Sequence, residues 1–343
     1  MWQVKGHSKA VESLERSIRA GRLAHAYLIT GPPQVGKMTL ALNLAQILNC
    51  QGNCLPSERC RSCHRIANGT HSDVQIINRS GDNGSGTKKE ISIGQIRDMQ
   101  KTASLQPYEG KYRVFIIDGA EYLNEESSNC LLKTLEEPPD NVIIILLTIT
   151  SSVLLPTILS RCQAIDLLPV QPQFIEKILI DHWNADQDKA KCISRLSGGA
   201  IGWAINALTD DSILRERSKN ISESVDIMSA SISERFDLAN RLSNQYSKDR
   251  IAVEKLLYLW LEWWRDLLYF KADCSQLVIN REHLHVLEHQ CGTLTINDVK
   301  LFIKSILQAI DQLHYNANPR LVFEVLLLNL PYLGRSPACS RII

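Results

Sequence analysis

Short, nearly continuous apolar runs alternate with longer stretches of three-and-four apolar spacing in the first half of the chain; in the second half only the helical spacing persists. The runs at Ala26 to Thr30, Asp73 to Ile77, Val114 to Ile117 and Val142 to Leu147 read as strands buried on both faces of a parallel sheet. Between them, Thr39 to Leu48 and Ile91 to Leu105 carry helical spacing. Residues 1–168 therefore read as one α/β domain, and Pro169 to Pro172 as a hinge. Residues 169–212 predict a small helical domain, with helices at Phe174 to Trp183 and Ala190 to Leu208 and a break at Gly198-Gly199. From Ile213 the pattern is helical throughout, giving an all-α domain over 213–335 and a tail over 336–343. Within it Ile296, Val299, Ile303, Ile306, Ile310 and Leu313 form a stripe that suits either the domain's own core or a seam with another chain.

The turn after the first strand carries the most specific chemistry. Gly31-Pro32-Pro33-Gln34-Val35-Gly36-Lys37 joins a strand to a helix, the setting in which backbone N–H groups curl around phosphate and a lysine neutralises it. The next residue should be Ser or Thr, whose hydroxyl holds Mg²⁺, and here it is Met38. Thr39 comes one residue late and, on a helix, points about 100° away. Gly31, Gly36, Lys37 and Thr39 thus mark a degenerate nucleotide site. Val114 to Ile117 ends in Asp118, the pattern of a strand whose terminal acid faces the metal, but Gly119 follows where an ATPase places glutamate. Glu121 would need another backbone path to replace it.

Composition narrows the remainder. The chain has 343 residues, 44% of them apolar, enough for two or three cores, and its net charge of +1 advertises no DNA-binding field. The apolar stretch near Leu256 to Phe270 is interrupted by Glu262, Arg265 and Asp266, and the N-terminus lacks a signal-peptide core, so a cytoplasmic protein without membrane contact is expected. Cys50, Cys54, Cys60 and Cys63 cluster in a way that suits a closed, structural zinc site in a reducing compartment, with His64 and His71 as competing ligands. Metal would supply a short knuckle over 50–63 with folding energy of about 10 kcal/mol. The other six cysteines read as small buried hydrophobes. Arg79 to Lys89, rich in glycine, reads as a loop.

Further motifs carry a resemblance. Leu131-Leu132-Lys133-Thr134-Leu135-Glu136-Glu137-Pro138-Pro139, Ser160-Arg161-Cys162, His25-Ala26-Tyr27-Leu28, Arg265-Asp266-Leu267-Leu268 and Asn316-Ala317-Asn318-Pro319-Arg320-Leu321 stand alongside the phosphate loop and cysteine knuckle. With them the chain resembles the bacterial clamp-loader subunits of the AAA+ class, the delta prime branch of DNA polymerase III in particular, over nearly its whole length. The resemblance implies an α/β P-loop (AAA+) domain with an inserted zinc knuckle, a helical lid and an all-α collar that holds five subunits together. It implies that Arg161, set by Ser160 and Cys162, is an arginine finger given to a neighbour's ATP site, where such a group contributes roughly 10³ to 10⁵ in rate. Thr148 would match the sensor at its strand end, and Trp203 stands where motor subunits carry a second-sensor arginine. The spacing of Cys54 departs from the family's tight steps. The implied partners are motor subunits of the gamma/tau type, a delta subunit, the sliding clamp and, through the complex, primed DNA. Neither intrinsic ATPase nor polymerase activity is expected, and whether ATP sits silently in the Gly31 loop stays open. Trp260, Trp263 and Trp264, without basic residues between them, read as packing residues.

Overall fold

A computed structural model describes residues 2–52, 60–79, 90–315 and 317–333. The chain divides into two compact units, 1–208 and 209–343.

In the first unit the order is α1 (Ser8–Arg19), β1 (Ala26–Thr30), α2 (Lys37–Asn49), α3 (Arg61–Ala67), β2 (Val74–Ile77), α4 (Ile93–Ala103), β3 (Arg113–Asp118), α5 (Glu125–Glu136), β4 (Val142–Thr148), α6 (Pro156–Leu159) and β5 (Gln163–Asp166). Three helices follow: α7 (Pro172–Trp183), α8 (Gln187–Leu196) and α9 (Ile201–Thr209). The strands form one parallel sheet in the order β2-β3-β4-β1-β5.

Alternation along each strand explains why the apolar runs are unbroken. Tyr27, Ile29, Val114, Ile116, Ile143, Ile145 and Leu147 pack with Leu40, Leu44 and Leu48 of α2. Their strand neighbours Ala26, Leu28, Phe115, Ile117, Ile144 and Leu146 pack on the opposite face, with Ile96 and Met99 of α4, Leu131 and Leu135 of α5 and Ile158 of α6. Thr30 pairs with Thr148 and Asp166, and Asp118 with Leu147. The polar ends of four strands therefore share one edge, the carboxyl edge at which open α/β sheets bind ligands.

Helices α7 to α9 belong to this unit, and the Pro169 to Pro172 connection is pinned rather than loose. Val170 N–H donates to Gly199 O at 3.0 Å, and a Cβ on Gly199, whose φ is +90°, would lie 2.5 Å from the Cβ of Pro169. No side chain but hydrogen fits there.

The second unit is helical: α10 (Asp211–Asp226), α11 (Ile232–Lys248), α12 (Arg250–Lys271), α13 (Leu284–Thr293), α14 (Ile296–His314) and α15 (Pro319–Leu328). Val299, Ile306, Ile310 and Leu313 of the stripe are buried in this unit's own core, Ile303 packs against it and Ile296 is exposed. The stripe is thus a core stripe. Trp260, Trp263 and Trp264 are buried, and Trp263 donates to Gln290 Oε1 at 3.0 Å. Buried Arg235 donates to the carbonyls of Leu327, Leu330 and Met228, so a cation satisfies acceptors left over at the end of α15. Asp266, fully buried, accepts from Ile279 N, Asn280 N and Asn280 Nδ2 and pins the segment between α12 and α13. No helix among the described residues is long and apolar enough to cross a membrane.

One buried carboxylate gives the first unit a pH dependence. Asp73, ahead of β2, accepts from the N–H groups of Tyr108, Glu109 and Gly110 at 2.7, 2.8 and 2.8 Å and faces Arg113 at 3.3 Å. Burial alone would raise its pKa, but the three donors and the guanidinium outweigh burial and hold it below the ordinary carboxylate value. A depressed folded pKa stabilises the fold above the unfolded value of about 4, and this contribution is lost as pH falls through the folded value. Asp73→Asn should destabilise the protein at pH 7 by about 1–3 kcal/mol and flatten the acid limb of the stability profile, as read by denaturant unfolding between pH 7 and pH 3. An unchanged acid limb would show that Asp73 does not contribute to it.

Candidate functional site

The loop after β1 is shaped by backbone that few side chains tolerate. Gly31 and Gly36 have φ of +146° and +114°, and Gln34 sits at +58°. A Cβ on Gly31 would run into Leu167 O, so glycine is required there sterically as well. Gly36 forms the N-terminal boundary of α2, whose first residue is Lys37. The Lys37 ammonium folds back on the loop, donating to Gly31 O and to Pro32 O, the latter at 2.9 Å. Burial pushes its pKa down, while Glu121 and Asp118 pull it up.

The cradle is roofed by the chain itself. Gln3 and Val4 N–H groups donate to Asn43 Oδ1 of α2, and His7 Nε2 donates to Val35 O at 3.0 Å, laying the N-terminal segment over the loop. From the other direction Gly202 N–H of α9 donates to Gln34 O at 2.8 Å, an approach that a Cβ at 202 would bring to 2.8 Å from the same oxygen. Helix α9 thus meets the phosphate loop backbone to backbone, with Trp203 next in sequence.

The departures at Met38 and Gly119 have a packing explanation. Met38 packs against the apolar cluster between the sheet and α2, so its side chain serves the core. Gly119 has φ +84°, and a Cβ there would lie 2.7 Å from the Tyr122 ring. Tyr122 is in turn covered by the Arg79 guanidinium, 3.8 Å from the ring centroid. A glutamate at 119 is excluded twice, by backbone conformation and by the ring. Glu121 lies in the short 3-10 turn Ala120–Tyr122 that follows, and its buried Oε2 has no hydrogen-bond partner among the described residues. At the end of β3, burial raises the pKa of Asp118 against the opposing pull of Lys37 and Arg79. The Thr148 hydroxyl donates to Thr150 O at 2.9 Å, and Thr30 donates to Asp166. Gly31, Gly36, Lys37 and Asp118 are thus placed along one edge as expected. Thr39 lies one position beyond Met38 in α2, and the Thr148 hydroxyl is engaged by its own strand end. This set does not fit a magnesium-bound nucleotide, because the residue at the hydroxyl position is apolar and packed.

Arg161 follows α6. Its guanidinium pairs with Glu136 Oε1 at 2.9 Å and donates to Thr157 O at 3.0 Å and Ser160 Oγ at 3.3 Å, leaving the side chain 34% exposed. Ser160 Oγ donates to Thr157 O, and Cys162 packs against the α4–α6 face of the sheet, where burial pushes its thiol up to about 11. Ser160 and Cys162 therefore fix the turn that presents the arginine.

The cysteine cluster forms in part. Cys50, at the end of α2, and Cys60 and Cys63, at the start of α3, have sulfurs all within 4.8 Å of one another, and Cys50 and Cys60 sulfurs are 3.9 Å apart. A tetrahedron with metal–sulfur bonds of about 2.3 Å has edges of about 3.8 Å, so this donor set could hold a metal ion. Cys63 N–H donates to Cys60 Sγ at 3.3 Å. Burial pushes the Cys60 thiol up, but hydrogen bonds from Cys63 and Cys50 outweigh burial and its pKa falls, whereas burial raises that of Cys63. Cys54 lies outside the described residues. Neither histidine turns to the cluster: His64 Nδ1 meets Asn68 Nδ2, and His71 sits between Asp73 N–H on Nδ1 and Ser62 Oγ on Nε2. Cys130, Cys162, Cys192, Cys274 and Cys291 are half-buried, not buried as expected, and Cys339 lies outside the described residues.

Sequence reasoning missed the Gly202 contact, the Arg79–Tyr122 stack and Glu136 as the partner of Arg161. Of these, only Gly202 left a signal, as a third glycine just after the Gly198-Gly199 break.

Comparison with known proteins agrees with the motifs. Residues 6–171 match the family described as DNA polymerase III, delta subunit. DNA polymerase III subunit delta' of Bacillus subtilis is 28% identical over 323 residues, covering 94% of this chain and 95% of that one. DNA polymerase III subunit gamma of Buchnera aphidicola subsp. Acyrthosiphon pisum is 30% identical over 269 residues, covering 75% and 72%. The tau subunit of Bacillus subtilis is 34% identical over 174 residues, but the match spans only 30% of its length. Among solved structures, a gamma subunit-related protein of Thermotoga maritima aligns at 18% identity with a TM-score of 0.43, covering 92% of this chain and 97% of that one. The chain belongs to the family of DNA polymerase III clamp-loader subunits, of which delta prime and gamma/tau are members.

Proposed function

We propose that this chain is the non-motor, delta prime-type subunit of the loader, a stator beside ATP-hydrolysing neighbours of the gamma/tau type. It would sit with them and a delta subunit in a five-subunit assembly that opens the sliding clamp and places it on primed DNA. Helices α7 to α9 would be the lid, and the second unit the collar that joins subunits. The observation that carries this reading is Gly119 in left-handed backbone against the Tyr122 ring, since it leaves no room for the glutamate that would polarise water. Met38, half-buried and packed against the core, supports it from the metal side.

Arg161 would serve a neighbour's nucleotide in trans. In a reconstituted loader, Arg161→Ala should lower the DNA- and clamp-stimulated ATPase rate at least about tenfold with assembly intact. An unchanged rate would leave Arg161 a surface ion pair and the subunit a scaffold.

Zinc would be held by Cys50, Cys60 and Cys63, with Cys54 as the fourth thiolate. It would be structural, because a site closed by four protein ligands has no open position for catalysis. Cys60→Ser should release the metal, as measured by elemental analysis of the purified protein, and lower its thermal midpoint. Metal-free protein with an unchanged melt would refute this.

The carrying observation has its own test. Gly119→Ala should destabilise by about 1–3 kcal/mol. Adding Tyr122→Ala should leave the backbone strain but relieve the ring contact, so the double variant should lose less than the sum of the two single losses. Full additivity in denaturant unfolding would show that the ring does not close position 119.

A further inference from the structure

The ion pair on Arg161 is placed where stability alone gives little reason for it. Glu136 is the last residue of α5, and Glu137 follows as its C-terminal boundary, so two carboxylates stand at the negative end of a helix. That placement is disfavoured, because the negative end of the helix dipole repels each charge. The pair is also exposed, at 34% for Arg161 and 51% for Glu136, and such exposed pairs contribute little to stability. The two effects roughly cancel, leaving geometry as the result.

The geometry is specific. Glu136 Oε1 takes the Nη2 side of the guanidinium at 2.9 Å, while Thr157 O and Ser160 Oγ take Nη1 at 3.0 and 3.3 Å. These contacts engage at most three of the five N–H donors of an arginine, so at least two remain for an anion. Their supports do not move independently: Leu131 and Leu135 of α5 and Ile158 of α6 share one apolar cluster, and α5 and α6 pack together. An arginine on a turn carries much rotamer entropy, which a finger must lose before it can meet a transition state. A carboxylate fixed on the adjacent helix removes much of that freedom in advance.

We infer that Glu136 is a positioning residue for Arg161, holding the guanidinium in the orientation in which it is offered to the phosphates of a neighbouring subunit's nucleotide. This rests on the reading of Arg161 as a finger given in trans.

The test uses the reconstituted loader with Glu136→Gln, Glu136→Asp, Arg161→Ala and the Glu136→Gln/Arg161→Ala double variant, scored by stimulated ATPase and by co-elution of the assembled complex. Glu136→Gln should lower kcat by about three- to tenfold, with KM for ATP within about twofold, because an interaction that acts on the transition state appears in kcat. Glu136→Asp, keeping the charge, should recover part of the loss. The double variant should be no slower than Arg161→Ala alone, since a residue that acts only through Arg161 has nothing left to position. A kcat for Glu136→Gln at or above wild type, with Arg161→Ala severely slowed, would overturn the positioning role and leave the finger. Additive losses, or failure of Glu136→Gln to assemble, would also overturn it by giving Glu136 a task independent of Arg161. A wild-type rate for Arg161→Ala would overturn the finger and the positioning role together.

Discussion

A parallel sheet buried on both faces leaves its chemistry nowhere to go but the ends of its strands. Every residue of β4 is buried, β1 is apolar up to its last position, and β3 is apolar from Val114 to Ile117. Thr30, Asp118, Thr148 and Asp166 therefore arrive at a single edge, and the loop from Gly31 to Lys37 folds over it. The order β2-β3-β4-β1-β5 brings the phosphate loop, the acid of β3 and the end of β4 to this edge from distant parts of the chain. Whatever this subunit has kept or lost of nucleotide chemistry is decided there.

What it has lost is bound up with what holds the unit together. Met38 packs against the core, the residue after the β3 acid is confined by Tyr122, and α9 reaches the loop through Gly202. A hydroxyl residue at 38 or a glutamate at 119 would each disturb an internal contact. The Gly202 and His7 contacts tie α9 and the N-terminal segment to the phosphate loop through hydrogen bonds of the chain itself.

Much of this was legible from residues in order. Strands β1 to β4 were readable because burial on both faces makes a strand apolar along its length, and helices such as α2 and α4 because their spacing follows one face, whereas β5, exposed at three of its four residues, was not read. The phosphate loop, Asp118 and the departures at Met38 and Gly119 were readable because a glycine-rich turn between strand and helix has few alternative uses. The reasons for those departures were not readable, since Tyr122 closing on Gly119, and Met38 turning into the core, are contacts that no local pattern encodes. Glu136 was hidden for the same cause: at the end of a helix it is one acidic residue beside another, and only the placement of α6 against α5 pairs it with Arg161. The stripe on α14 shows the converse limit, because periodicity reports that a face is buried and not against what. The cysteine cluster lies between these cases. Its spacing announced thiolate ligands, three of which converge, while Cys54 lies outside the described residues.

Whether this chain hydrolyses ATP itself is measured on the purified chain alone, with and without Mg²⁺. The account predicts no turnover above the protein-free control in either condition, because the hook for the metal and the room for a catalytic glutamate are both filled by the fold. Robust turnover that depends on Mg²⁺ and disappears on substitution of Lys37 would contradict it.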